Sequence, residues 1–184
     1  KNFYHLKRSE IKILELGCGA GRNLWYFSRE GFNACGIDQS SDAINLAQKR
    51  LEKNQLTAKL TVGDFSELPY ESGTFHAVID NTSICLNEKN KTKKILEEIK
   101  RVLKPQGLFY SQTPSDYMFN ERSCTCKQKL NDLEYKDITD GPFIALDFIR
   151  LSNERSIEEL YKGLFTINSL YKELYQRGSS NAGS

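Results

Sequence analysis

Short apolar runs alternate with helix-period segments along most of this chain, the pattern of strands joined by crossover helices. Residues 11–16 read as a first strand that breaks into a string of glycines. Residues 22–30 read as a helix stopped by Gly31, and 33–38 as a second strand rich in small residues. Ser40 or Ser41 caps a long helix ending near Asn54, with Ala43, Ile44, Ala47 and Leu51 at helical spacing. Residues 60–62 form a third strand closing on Gly63 and Asp64, and 65–74 a polar loop holding Pro69 and Gly73. Residues 76–80 are a fourth strand centred on Ala77, Val78 and Ile79. Residues 91–103 are a helix with Ile95, Leu96, Ile99, Val102 and Leu103 on one face and solvated lysines and glutamates on the other. Pro105, Gln106 and Gly107 are expected to terminate it, and 108–112 make a fifth strand.

The remainder is less regular. A short helix is expected near residues 127–133, and Ser156 with Glu159 reads as a capping box opening a helix to Phe165. Residues 165–175 alternate and predict a sixth strand, followed by a flexible polar tail over 177–184. One domain is expected over residues 1–176.

Composition narrows the function classes. The net charge is +2 over 184 residues, which does not suggest a nucleic-acid binder. No apolar run is long enough to span a membrane, and the polar, basic first ten residues do not read as a signal peptide. The five cysteines are odd in number and scattered, which argues against a disulfide framework and fits a reducing cytoplasm. Cys124 and Cys126 could ligate a soft metal, but no second pair completes a tetrahedral site, so no metal is expected.

The chemistry concentrates at strand exits, where ligands bind in an open doubly wound sheet. The first exit reads Glu15-Leu16-Gly17-Cys18-Gly19-Ala20-Gly21. A dinucleotide fingerprint needs a third glycine where this chain has Arg22, so a pyrophosphate ligand is disfavoured. The second strand exits at Asp38, about twenty residues on from Gly17, where a carboxylate can accept both ribose hydroxyls. The third exits at Gly63-Asp64-Phe65, a carboxylate for an amino group and an aromatic for a ring face. The fourth exits at Asp80-Asn81-Thr82-Ser83, a polar cluster.

The glycine string with its preceding acid resembles the E/D-x-G-x-G-x-G motif of class I S-adenosylmethionine-dependent methyltransferases. Arg101-Val102-Leu103-Lys104-Pro105-Gln106-Gly107 resembles the family's R-x-L-K-P-G-G stretch, with Gln106 in place of the first glycine. Leu68-Pro69-Tyr70 through Phe75 resembles its L-P-F-x-x-x-x-F-D passage, with His76 where an aspartate is usual. The resemblance covers about residues 11–113. It implies an α/β fold: a Rossmann-like doubly wound, mostly parallel sheet in three α/β/α layers, here expected to lack the last antiparallel strand. It implies S-adenosylmethionine as cofactor, S-adenosylhomocysteine as product, and a cofactor site of Glu15, Gly17, Cys18, Gly19, Asp38, Gln39, Asp64, Phe65 and Asn81.

A sulfonium is an activated methyl donor, so alignment and exclusion of water are the main tasks and a general base is needed only for a protonated acceptor. No residue is named as that base. Asp80, Asp116 and Tyr117 lie near strand exits, His5 in the terminal segment, and His76 at the wrong end of its strand; Cys85 has no paired histidine. A small-molecule acceptor is expected from the near-neutral charge. An RNA or protein methyltransferase and a non-catalytic cofactor-binding module are the alternatives.

Overall fold

The computed structural model describes residues 5–118, 125–141 and 143–172. Five parallel strands build the main sheet: β1 (Lys12–Leu16), β2 (Asn33–Asp38), β3 (Lys59–Val62), β4 (Phe75–Asn81) and β5 (Leu103–Gln112). Their order is β3-β2-β1-β4-β5. The chain leaves β1 through α1 (Arg22–Arg29) and β2 through α2 (Ser41–Lys53), both stepping outward on one side. It then returns to the other flank of β1 as β4 and continues through α3 (Lys89–Val102) to β5. The direction of winding therefore reverses between β1 and β4, and their carboxyl ends part to leave a crevice.

Strand alternation divides the core into two layers. Leu14 and Leu16 of β1 share a face with Val78 of β4 and Ile37 of β2, and α3 closes over them with Ile95, Leu96, Ile99 and Val102. A last helix, α4 (Glu154–Tyr161), adds Leu160 and Tyr161 to that side. On the opposite face Leu24 and Phe27 of α1 and Ile44 of α2 pack with Ala34 and Leu60. The result is the three-layer sandwich that the family resemblance implies. On this second face Leu108 and Tyr110 of β5 remain 43% and 55% exposed. No described helix is long and apolar enough to cross a membrane.

A second sheet is absent from the sequence reading. Strands β6 (Thr125–Lys129), β7 (Glu134–Asp140) and β8 (Phe148–Arg150) pair antiparallel between β5 and α4. They carry their own core of Tyr135, Ile138, Ile149 and Leu151. The helix expected over 127–133 is therefore a strand and its turn. Asp137 takes φ 51°, a break in the β7 pleat, so Tyr135 and Ile138 both turn inward three residues apart. Arg150 anchors this sheet to the main body, donating through Nη1 to the Asn87 carbonyl and to Thr92 Oγ1, both at 2.8 Å. Lys136 pairs with Glu88 at 2.9 Å.

Three further expectations are corrected. The helix α3 stops at Val102, and Pro105-Gln106-Gly107 do not terminate it but bulge within β5. Leu103 opposes Phe75 and Leu108 opposes Ala77, so the intervening residues loop out, with Gln106 at φ 62°. The helix near 156 opens three residues earlier, where Asn153 and Ser156 form a reciprocal cap. The sixth strand does not form over the described residues 165–172. Phe165 packs on Phe109 at 5.2 Å, but Ile167, Leu170 and Tyr171 lie exposed and pair with no strand among the described residues, and alternation without a partner strand is no strand. Residues 173–184, including the expected tail, lie outside the described residues, as do Cys124 and the first four positions.

The Ser40 hydroxyl accepts from the Ala43 N–H at 3.2 Å and caps α2. Ser40→Ala should lower unfolding free energy by about 1 kcal/mol. Leu96→Ala, at a fully buried position, should lower it by about 2–5 kcal/mol. Urea denaturation of both variants checks the ranking.

Candidate functional site

The loop after β1 runs through three left-handed glycines, Gly17, Gly19 and Gly21, at φ 63°, 50° and 72°. Two of them are demanded by packing. A Cβ on Gly17 would overlap the Ser83 side chain, and one on Gly21 would lie 2.9 Å from the Ala47 Cβ. Gly19 differs: nothing stands within 4 Å of where its Cβ would be. The loop is therefore open on that side of Gly19, which leaves room for close approach of a ligand.

The carboxylates gather around this loop. Asp38 ends β2 and accepts the Gly19 N–H on Oδ2 and the Ser40 N–H on Oδ1, each at 2.9 Å. It thereby fixes the loop to the second strand. Asp64 accepts from Lys91 Nζ at 2.6 Å, from Gln39 Nε2 at 3.2 Å, and from the Ser66 N–H and hydroxyl. Burial works to raise its pKa, but Lys91 and Ser66 outweigh burial and hold the carboxyl down at about 2. Asp80, at the end of β4, is buried and takes the N–H groups of Ser83 and Ile84 and the hydroxyls of Ser83 and Ser111. Burial raises its pKa, against those donors. With three donors on Oδ1 and one on Oδ2 it braces the turn after β4.

Glu15 stands apart. It is 3% exposed on β1, beside Gly36 and Ile79 and on the α1 side of the sheet. Asn23 Nδ2 donates to its Oε1 at 2.7 Å, and its Oε2 has no hydrogen-bond partner. Burial first, with Asp38 and Asp80 adding repulsion, pushes its pKa up to about 7 from the ordinary 4.5.

Five of the residues expected at the site, Gly17, Asp38, Gln39, Phe65 and Asn81, line one cleft of about 300 Å³ at the strand exits. Thr82, Ser83, Leu86 and Asn87 complete its wall. Gly19 and Asp64 adjoin it through their bonds to Asp38 and Gln39. Glu15 lies beneath the loop, and the Cys18 side chain turns away into the core against Gly36, leaving only its backbone on the loop. Leu86, Asn87, Asn23 and Lys91 escaped the sequence reading. Asn23 alone had a signal, a polar side chain in the first turn of the helix that follows the acid. A larger opening of about 510 Å³ at the amino ends of β2 and β3, lined by Ser9, Asn33 and Lys59 among others, has no carboxylate.

The other candidates fall away from the cleft. His76 Nδ1 accepts the Lys12 N–H at 3.0 Å, and Lys104 Nζ lies 3.0 Å from Nε2; burial and these lysines push its pKa down. Cys85 is buried, and burial pushes its thiol up to about 12, the wrong direction for a nucleophile. Asp116 donates its N–H to the Ser152 carbonyl, and Tyr117 is exposed. His5 is exposed at the edge of the described chain. Among the described residues no group of three His, Cys, Asp or Glu side chains could hold a metal ion.

The donor set fits the cofactor that the motifs imply. Asp38 suits two hydroxyls, the open face of Gly19 suits close backbone approach, and the unpartnered, buried Oε2 of Glu15 suits an ammonium.

Comparison with known proteins agrees. A family model described as "Methyltransferase domain" matches residues 7–174. Human EEF1A lysine methyltransferase 2 is 37% identical over 108 residues, which cover 54% of this chain and 46% of that protein. The chain spans about half the length of the curated relatives it matches. The PH0226 protein from Pyrococcus horikoshii OT3 superposes with a TM-score of 0.69 at 25% identity, over 86% of this chain and 74% of that one. A SAM-dependent methyltransferase from Methanosarcina mazei superposes at 0.68 and 21% identity, over 84% and 78%, and shares the fold.

Gly19→Ala separates the open glycine from the packed ones. Its methyl meets no atom, so the fold should lose only the left-handed strain of about 1–2 kcal/mol. On the reading that the cofactor lies against Gly19, affinity for S-adenosylhomocysteine should fall by about tenfold or more, because the methyl would stand where the ligand packs. Calorimetric titration beside a melting curve checks both.

Proposed function

We propose that this chain, which belongs to the methyltransferase-domain family, binds S-adenosylmethionine in the cleft between β1 and β4 and transfers its methyl group to a small-molecule acceptor. The observation that carries the cofactor reading is the Asp38 carboxylate, which lines the cleft and accepts the Gly19 N–H, with the orphan Glu15 oxygen buried beneath the same loop. When bound, the cofactor supplies an activated methyl group for in-line displacement. The remaining work falls to this chain's residues. Asp38 and the loop hold the nucleoside, Phe65 walls the cleft, and the turn braced by Asp80 sets the rim where an acceptor approaches.

The small-molecule reading is supported by the rim. Asn81, Thr82, Leu86 and Asn87 are uncharged, so the wall offers no basic track for a nucleic-acid backbone. A protein acceptor is the second reading, favoured by the 37% identity to a lysine methyltransferase. The buried free thiols of Cys18, Cys35 and Cys85 support a cytoplasmic setting.

Two measurements test this. Asp38→Ala should weaken S-adenosylhomocysteine binding by about tenfold or more, the loss expected from hydrogen bonds to a charged group. Incubation with methyl-labelled cofactor and either the low-molecular-weight filtrate or the dialysed protein of a cell extract should place label in the filtrate arm. Label found only in acid-precipitable protein would overturn the small-molecule acceptor and support the second reading.

A further inference from the structure

Glu15 is the one buried side-chain oxygen among the described residues that meets no partner. Its surroundings supply no cation. From α1 come Asn23, which donates to Oε1 at 2.7 Å, and the Leu24 N–H, which favours the charged form from farther off. From β2 comes Asp38, from β4 Asp80, and from the loop Cys18. The Cys18 thiol is itself pushed up to about 12, by burial first and then by Glu15 and Asp38, so it stays neutral. An ionised carboxylate here has one hydrogen bond, two acidic neighbours and almost no water. Such a group stays ionised only if a cation arrives or the solvent is made basic.

We infer that Glu15 carries its proton on Oε2 in the free protein and releases it when the ammonium of the cofactor's amino-acid end enters the loop. The inference rests on the cofactor reading above and deepens it. The step balances: the protonated carboxyl loses one proton to solvent, the carboxylate gains the ammonium as its partner, and no other bond changes. The cofactor's charge thus replaces the proton as the neutraliser of Glu15. The sign is fixed by the direction of the shift. The folded chain keeps this proton up to about pH 7, whereas an unfolded chain loses it near 4.5, so this group makes the free fold less stable as pH rises through that window. Cofactor affinity moves oppositely, weakening as pH falls below about 7, towards tenfold per pH unit.

The test is calorimetric titration of the protein with S-adenosylhomocysteine in two buffers of different ionisation enthalpy, which counts protons exchanged. At about pH 6 nearly one proton should be released per ligand, and at about pH 8.5 almost none. Glu15→Gln keeps the shape and the Asn23 contact; it should bind more weakly with no proton released, and should melt higher than the parent at about pH 8.5 but not at about pH 5. Wild-type binding without release at the lower pH, or equal release by Glu15→Gln, would overturn the inference while leaving the cofactor reading intact. No binding of any kind would overturn both. Should Glu15→Gln not fold, infrared difference spectra of the wild type decide: the carbonyl band of a protonated carboxyl should vanish on ligand addition, and its persistence would refute the idea.

Discussion

Everything at the crevice depends on how closely the first loop can approach the fourth strand's exit. Gly17 lies where a Cβ would strike Ser83, and Gly21 where one would press on Ala47. Ser83 is the tie between the two exits: its hydroxyl donates to Asp80 Oδ1 at 2.6 Å and lies 2.9 Å from the Leu16 carbonyl. A side chain at Gly17 would force β1 and β4 apart. The loop would lose the bond from the Gly19 N–H to Asp38, and the carboxylates would no longer share one opening. Backbone proximity is the primary constraint, and the electrostatics are arranged around it.

The parallel half of the molecule is legible because each strand is a short apolar run and each crossover helix shows one apolar face. Residues 33–38 fall on β2 with both bounds matched, and Ser40 caps α2 as its position suggests. The site was readable for the same reason, since a doubly wound sheet puts function at strand exits and those exits are marked by Gly17, Asp38, Asp64 and Asn81. What failed was local disguise. Residues 127–133 are mostly polar and carry no clean alternation to mark β6 and its turn, and Gln106 lets Pro105 and Gly107 sit inside a strand where they would ordinarily stop a helix. The alternation over 165–172 was real, but pattern alone cannot supply a neighbouring ladder. Lys91 and Asn87 come from segments whose polarity reads as ordinary surface. Only the folded chain shows that they meet the cleft or its carboxylates.

The three acids at the carboxyl ends of β1, β2 and β4 illustrate how environment assigns different duties to one chemical group. Asp80 is buried but saturated with donors, so it acts as mortar for a turn. Asp38 is tied to two backbone N–H groups and still faces the opening. Glu15 is buried and starved of donors, a state a stability-optimised core would not retain. On the proposed reading, an entering ammonium would supply the partner that the fold itself leaves out.

The attachment of the second sheet divides the molecule's labour. Arg150 reaches across to the Asn87 carbonyl and Lys136 to Glu88, so β7 and β8 grip the one wall of the cleft that owes nothing to the glycine loop. Lengthening or reshaping those two strands would therefore reshape the wall at Asn87, while the contact that ties the first loop to β2, from the Gly19 N–H to Asp38, kept its geometry.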